Sequence, residues 1–350
     1  MKRFNKDASP PRPTIKDVAQ RANVSPATVS MVLNKRPEAI SQATREAVLK
    51  AVEELHYRPN QLARGLVTRQ TGTIALIIPD NTNLFFAAVS NAIDRAADAL
   101  GYSVIVANTN NSIRLSTHYL NLFADRMTDG VIVAQSEFPD PDETRRWRET
   151  AASLHSPIVL MDRAPKDAPM DYVGMDQFAC GHMATKHLLD YGHTCIGCIT
   201  GPLSLSILSE RLDGYKFALE EAGIAVDPSL IIEGELQLAS GIESLPYLLG
   251  KQVTAIFAFN DMIAYGIYKE IRNYNLRIPE DISVIGVDDI LFSDIIQPPL
   301  TTVVQPIDGI AKAAVTRLVQ IIKTHTQSTP IPTVLPPLLK VRGSTLRMGR

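Results

Sequence analysis

Cysteine, tryptophan and long apolar runs are all scarce in this chain of 350 residues. Three cysteines cannot build a disulfide framework, and their scarcity predicts a reducing compartment, the cytoplasm. Mean hydropathy is +0.01, and no uninterrupted apolar run approaches the ~18 residues of a membrane-spanning helix. Met1-Lys2-Arg3-Phe4-Asn5-Lys6-Asp7 leads into prolines instead of an apolar segment, so no secretory signal is expected. Catalytic motifs are missing too. There is no phosphate-cradling P-loop, no G-x-S-x-G nucleophile turn and no H-E-x-x-H zinc helix. Seven histidines are scattered, and His182 and His187 share a predicted helix without further ligands. Cys195-x-x-Cys198 falls in a predicted strand, where side chains three apart face opposite ways, and no second pair completes a zinc site. No enzyme, metal or cofactor is expected.

What the chain does hold is ordinary globular material, 45% hydrophobic and 21% charged, in a length that suggests two or three domains. Its charge is unevenly spread. Residues 1–70 hold 13 Lys/Arg against 6 Asp/Glu, a net +7, and the remainder 22 against 31, a net −9. A small basic block on a large acidic body is the footprint of polyanion binding, or of a merely solvated basic face.

Residues 1–13, with Pro10, Pro11 and Pro13, read as a disordered arm. Thr14 is positioned to cap a helix to about Arg21, with Asp17 near its free N–H groups and Ile15, Val18 and Ala19 on one face. Ala22-Asn23-Val24 makes a turn in which Asn23 tolerates the left-handed conformation. Ser25 caps a second helix with Pro26 at its first position and Val29, Val32 and Leu33 buried. A third helix starts after Ser41 and buries Ala47, Val48, Ala51, Val52 and Leu55. Two short helices across a tight turn, plus a supporting third, form a helix-turn-helix; an ordinary three-helix bundle is the alternative. The DNA-reading geometry gives Ala27, Thr28 and Met31 a role that packing does not.

From Thr73 onward strands alternate with helices. Ile74–Ile78, Ser103–Ala107, Val131–Ala134, Ile158–Met161, Cys195–Thr200, Ala255–Phe259 and Ile282–Val287 read as strands, with helices over Phe86–Leu100 and near Cys180–Tyr191. That predicts a doubly wound parallel α/β body in two similar halves. Ligands bind such sheets beyond the carboxyl ends of strands. The residues expected there are Asp80, Asn83, Phe85, Phe86, Ser136, Asp162, Arg163, Asp176, Arg211, Asn260, Asp261, Asp288 and Asp289. Asn83, Asp261 and Asp289 are expected to cap helices more than to touch ligand.

Thr14-Ile15-Lys16-Asp17-Val18-Ala19, Val24-Ser25-Pro26-Ala27-Thr28-Val29-Ser30, Val32-Leu33-Asn34 and Tyr57-Arg58-Pro59-Asn60 with Ala63-Arg64 and Leu66 resemble the headpiece of the lactose/galactose-repressor family. The resemblance runs from about Thr14 to Ser344. It implies an N-terminal all-α headpiece over 14–59, a hinge helix and linker over 60–71, and a two-lobed body over 72–345 built like periplasmic sugar-binding proteins. Lobe 1 is expected at about 72–173 and 305–332, lobe 2 at about 174–304 and 333–345. The implied DNA contacts are Thr14, Ser25, Pro26, Ala27, Thr28, Ser30, Met31, Asn34, Tyr57, Asn60, Ala63, Arg64 and Leu66. Leu66 occupies the place of a leucine wedged into the minor groove; alone it would pack on Leu62. Pro26, Ala27 and Met31 form no bidentate hydrogen bond, so readout would rest on van der Waals contact, on Thr28 and on DNA shape. The implied effector contacts are Asp80, Phe85, Phe86, Ser136, Asp162, Arg163, Asp176, Arg211, Leu236, Asn260 and Asp288. Arg211 stands where the family grips effector oxygens, Asp288 where it accepts hydroxyl or amine protons, and Phe86 where it stacks. Leu236 replaces a frequent aromatic, and Leu205 and Ile207 replace purine-contacting positions, which favours a sugar over a purine. The expected protein is a homodimeric, effector-controlled repressor on a pseudo-palindromic double-stranded operator. No leucine heptad follows Val341-Arg342-Gly343-Ser344, so a dimer is expected rather than a tetramer. A periplasmic solute receptor would share the body but lack the headpiece.

Overall fold

The computed structural model describes residues 13–33, 40–57, 70–125, 128–135, 141–154, 156–163, 170–324 and 330–349. The arm up to residue 12, the hinge over 60–69, and the expected contacts Asn34, Asn60, Ala63, Arg64, Leu66 and Ser136 lie outside these. Two compact units divide the chain, Met1–Thr71 and Gly72–Arg350.

The first unit holds α1 (Ile15–Arg21), α2 (Pro26–Leu33) and α3 (Gln42–Glu54). Its local chemistry follows the sequence. The Asp17 carboxylate accepts from the Thr14 main-chain N–H at 2.7 Å and from its hydroxyl at 2.8 Å. Asn23 takes φ 51° in the turn. Ser25 Oγ accepts from Thr28 N at 3.1 Å and Ser41 Oγ from Thr44 N at 3.2 Å, each supplying one of the partners a helix start lacks. Val18, Ala19, Val29, Val32, Val48 and Ala51 close the core. Ala47, expected in it, is exposed: Val48, Ala51 and Leu55 already span the buried stripe, and Ala47 falls on its flank.

The second unit holds two sheets. The first, in spatial order, joins β2 (Ser103–Asn108), β1 (Thr73–Ile78), β3 (Gly130–Val133), β4 (Ile158–Met161), β5 (Asp171–Met175) and β11 (Pro332–Leu335), all parallel. The second joins β7 (Ile231–Glu233), β6 (Ile196–Thr200), β8 (Ala255–Ala258), β9 (Ser283–Asp288), β10 (Thr301–Val304) and β12 (Leu338–Lys340), with only β12 antiparallel. The two orders are the same doubly wound pattern written twice. In β1, Ile74, Leu76 and Ile78 face one apolar cluster, while Ala75 and Ile77 face another around Trp147. A strand buried on both sides reads as the continuous run seen in the sequence.

Helices α4 (Leu84–Asp98), α5 (Ile113–Ala124), α6 (Pro141–Ser153) and α11 (Ile307–Thr324) belong to the first sheet's half. The second carries α7 (Gln177–Asp190), α8 (Ser206–Glu221), α9 (Leu238–Gly250) and α10 (Asp261–Glu270). The chain crosses between halves after β5, after β10 and after β11. The lobe limits therefore differ from expectation. Gly174 and Met175 still belong to the first sheet, and the last crossing follows Leu335 rather than 332, because Pro332–Leu335 pairs with β5.

Helix pairs α7–α8 and α9–α10 touch backbone to backbone. A Cβ on Gly181 would sit 1.9 Å from Arg211 O, and one on Gly214 2.1 Å from Phe178 O. Gly241 and Gly266 repeat the arrangement against Ile263 O and Leu238 O at 2.0 and 2.1 Å. Neither backbone can yield locally, so Gly181→Ala must push α8, and Arg211 with it, outward. A loss of about 3 kcal/mol is expected, read from the urea midpoint; an unchanged midpoint would show that the helices separate freely.

The segment after β12 runs back over the second sheet. Ser344 O accepts from Val284 N at 2.8 Å, and Tyr191 O accepts from Met348 N at 2.8 Å. His187 Nε2 meets Thr345 Oγ1 at 2.9 Å. Burial holds the His187 ring neutral, with a pKa pushed down to about 4. In the unfolded chain it titrates near 6.5, so the unfolded state binds more protons between about pH 6.5 and 4. Stability falls as pH falls through that window. Asp261, pushed up to about 7 by burial, has the opposite sign: its contribution is lost as pH rises toward 7. Comparing His187→Gln with the native protein isolates the first effect. Urea unfolding is expected to show a flatter acid decline in the variant, and parallel declines would contradict the assignment.

Candidate functional sites

The start of α2 is the exposed part of the helix-turn-helix. Thr14, Ser25, Pro26 and Ala27 are exposed, and Thr28, Ser30 and Met31 are half-buried. The Thr28 hydroxyl lies 2.9 Å from Ser25 Oγ, so its polar group is engaged in the cap. Tyr57 rests its ring on the three-helix core.

In the body, the strand ends of both sheets meet at one cleft. It is lined by Asn83, Phe85, Phe86, Asp162, Arg163 and Gln305 together with Ile207, Leu208, Arg211, Leu236, Asn260 and Asp288. Only about 20 Å³ of free space remains between them, about that of one water. Eight of the expected effector contacts thus come together. Asp80 and Asp176 do not. Asp80 turns back to accept from Thr82 N at 2.8 Å and Thr82 Oγ1 at 2.7 Å, and Asp176 caps α7 through Ala179 N at 2.8 Å. A short carboxylate beside free backbone N–H groups satisfies those first.

The two arginines are held differently. Arg163, at the end of β4, lies over the Phe86 ring at 5.2 Å, with its Nε 4.0 Å from Asp162 Oδ2. Phe86 meets Phe85 edge-on at 5.1 Å. Arg211, on the inward side of α8, donates from Nε and Nη2 to Gln177 Oε1 at 3.1 and 2.5 Å, and from Nη1 to Phe259 O. A guanidinium has five N–H donors, so these bonds use three. Asn260 caps α10 through Ile263 N at 2.9 Å and donates to Leu236 O at 3.1 Å.

Buried carboxylates face these cations. Burial raises the pKa of Asp162, with Arg163 and Arg211 pulling it back down. Asp288 is held well above the usual carboxylate range by burial first and by neighbouring Asp261 second. Its Oδ1 accepts from Gln305 Nε2 at 2.7 Å. Backbone strain gathers here: Asp162, Asp288 and Asp289 have φ of 58°, 119° and 59°. Non-glycine residues in this region cost about 1–3 kcal/mol each and persist where the surroundings over-determine them.

Of the three expected caps, Asn83 caps α4, accepting from Phe85 N at 3.0 Å. The other two do something else. Asp261 is fully buried and accepts from Ile290 N, Ser293 Oγ and Thr302 Oγ1 at 3.1, 2.5 and 2.7 Å, tying α10 to β10 and the loop after β9. Asp289 pairs with Arg342 at 2.5 Å and Lys340 at 3.1 Å. At Asp261, donors brought by distant segments outcompete the local helix end; between Asp289 and β10 the chain forms only turns, so there is no helix for it to cap.

A headpiece of this kind and a body with such a cleft, carried on one chain, match known proteins. The family model for bacterial regulatory proteins, lacI family, matches residues 14–60, and a periplasmic binding protein-like domain matches residues 185–345. The HTH-type transcriptional repressor PurR of Aliivibrio salmonicida is 37% identical over 312 residues, covering 89% of this chain and 92% of that protein. This chain belongs to the lacI family. Two solved relatives extend the comparison. The Lac repressor dimer bound to operator and the anti-inducer ONPF shares 28% identity at TM-score 0.85, over 96% of this chain and 100% of that one. The transcriptional regulator CelR in complex with cellobiose shares 32% at TM-score 0.69, over 95% and 100%. As a lacI-family member the chain is a ligand-responsive, DNA-binding transcriptional repressor whose effector binds in the periplasmic-binding-protein-like body.

Sequence reading passed over Gln135, Gln177 and Gln305. Each lies within two residues of a strand end, the position that found the others, and all three are buried. Uncharged amides draw no notice beside Asp and Arg. Among the described residues, Gln135 Nε2 and Oε1, Asp162 Oδ1, Gln177 Nε2 and Gln305 Oε1 are buried side-chain atoms with no hydrogen-bond partner in the protein.

Proposed function

We propose that this repressor acts in the cytoplasm as a homodimer, each headpiece reading one half of a pseudo-palindromic operator, and that a sugar or sugar derivative in the cleft sets its operator affinity. The carrying observation is the pair of buried, unmatched polar atoms on residues that line the cleft, Asp162 Oδ1 and Gln305 Oε1, which a polar ligand would satisfy. The PurR likeness keeps a purine in view. Two features favour a sugar instead. Arg163 already lies over the Phe86 ring, and the opposite wall is the aliphatic Ile207, Leu208 and Leu236, which offers no face for a flat base to stack on.

The exposed Pro26 and Ala27 at the start of α2 make no hydrogen bonds to base edges, so DNA shape and the hinge carry more of the specificity. Binding is expected to weaken by on the order of a thousandfold between about 50 and 200 mM salt, as for about six neutralised phosphates. Leu66→Ala should weaken operator binding by about tenfold or more and leave effector binding unchanged, since a wedge acts only in the DNA complex. Gel shifts and calorimetry on the same preparations decide it. Equal losses in both activities would make Leu66 a packing residue.

A further inference from the structure

The loop that brings Leu236 to the cleft also borders a second, larger cavity. It holds about 420 Å³, the size of a small-molecule pocket, and opens to solvent between β7 and α9. None of the cleft residues lines it. Ile231 and Ile232 give it an aliphatic wall, and Glu233 and Glu243 give it charge, with no lysine, arginine or histidine in the lining. Glu233 Oε1 accepts from Leu203 N at 2.8 Å, which leaves its second oxygen open. Glu243 has no ion pair or hydrogen bond among the described residues. Ser244 marks the cavity as more than a surface dent. It lines the space from within α9 and is only 6% exposed. Ser90, Thr117 and Thr185, also in helices, turn their hydroxyls back to the carbonyl four residues earlier, at 2.8, 3.0 and 2.8 Å. Ser244 forgoes that bond, and no other group among the described residues replaces it. A buried hydroxyl without a partner lowers stability, so this one calls for an occupant.

We propose that this cavity is a second ligand site, separate from the effector cleft, and that it takes a small aliphatic amine. Ionised carboxylates accept and never donate, so the charged part of the lining demands a donor. A recess lined by one sign of charge also concentrates the opposite sign and repels its own. An alkylammonium meets both conditions. Its N–H donors serve Glu233, Glu243 and the Ser244 hydroxyl, and its chain lies along Ile231 and Ile232. A neutral polyol also donates but leaves both charges uncompensated. Tyr247 shows the same preference at the rim, where Lys251 Nζ sits 5.3 Å from its ring centroid. Gly234 borders the cavity and Leu236 the cleft, with Glu235 N between them donating to Ser240 Oγ at 2.8 Å. The two sites therefore share a three-residue wall.

Calorimetric titration of the full chain with 1,5-diaminopentane tests this, beside pentane-1,5-diol and glutarate as the neutral and anionic counterparts of the same length. Saturable binding of the diamine is expected with Kd below about 1 mM, and neither counterpart should bind. Combining Glu233→Gln with Glu243→Gln removes both charges yet keeps an acceptor for Leu203 N, and Kd should rise about tenfold or more. Ser244→Ala removes a hydroxyl that has no protein partner, so the unliganded Tm should hold while Kd rises about threefold. Absence of saturable diamine binding overturns the proposal, as does diol binding of equal strength. An unchanged Kd in the double variant overturns it too, because the diamine then sits elsewhere. A lower unliganded Tm in Ser244→Ala gives the hydroxyl a structural task and removes the observation that calls for an occupant.

Discussion

A protein beginning at Gly72 is expected to bind effector as the full chain does and to show no operator binding at all. The basis is the independence of the two units. The headpiece closes its own core from Val18, Ala19, Val29, Val32, Val48 and Ala51, and the body closes its clusters from residues beyond Thr73. Charge separates the same way, with +7 over residues 1–70 and −9 over the remainder. An acidic body repels phosphate, and counterion release, the main source of sequence-independent DNA affinity, is lost with the headpiece. Gel shifts of both proteins, paired with calorimetry against the effector sugar, measure the two activities side by side. Operator retention by the shortened protein would place DNA contacts in the body and undo the division of labour.

The second large effect concerns Arg211. Arg211→Ala is expected to abolish the effector response while effector-free operator affinity stays within about twofold. Arg211 reaches Gln177, and through Phe259 O the end of the β8 segment, so one side chain joins α8, the first crossover and the cleft floor. Its loss also leaves Gln177 Oε1 and Phe259 O without their donor, at about 1–3 kcal/mol each. Arg211→Lys keeps the charge but not the planar fork. The lysine variant is expected to fold and still respond poorly, which separates lost recognition from lost stability. A titration of operator binding with native midpoint and amplitude in the lysine variant would move the effector elsewhere.

How much of this was legible depended on the kind of residue. Caps were readable because Thr14, Ser25, Ser41 and Asn83 act within three residues of themselves. β1 was readable because both its faces are buried, and the cleft because doubly wound sheets place strand ends together. Short edge strands were not. Pro332–Leu335 is exposed at three of its four positions, so it carries no periodicity, and the last lobe crossing was placed too early. Asp171–Met175 escapes notice for a different reason: it is an interior strand buried at four of its five positions, but an aspartate, a tyrosine and a glycine break the apolar run that marks such strands. Asp261 and Asp289 were expected as caps because sequence shows only near neighbours. Their partners Thr302 and Arg342 lie 41 and 53 residues away. The glutamines were invisible because an amide's role appears only when one of its ends is seen unmatched.

Cleft and headpiece share one free-energy balance. Linkage makes this reciprocal: whatever factor effector changes operator affinity by, operator must change effector affinity by the same factor. The deciding measurement is calorimetric titration of the full chain with the effector sugar, alone and saturated with operator DNA. Two dissociation constants are expected that differ by roughly 5- to 150-fold, equal to the factor by which the sugar moves operator affinity in gel shifts. Identical constants with and without operator would contradict it, leaving a sugar-binding body and a DNA-binding headpiece on one chain with nothing passing between them.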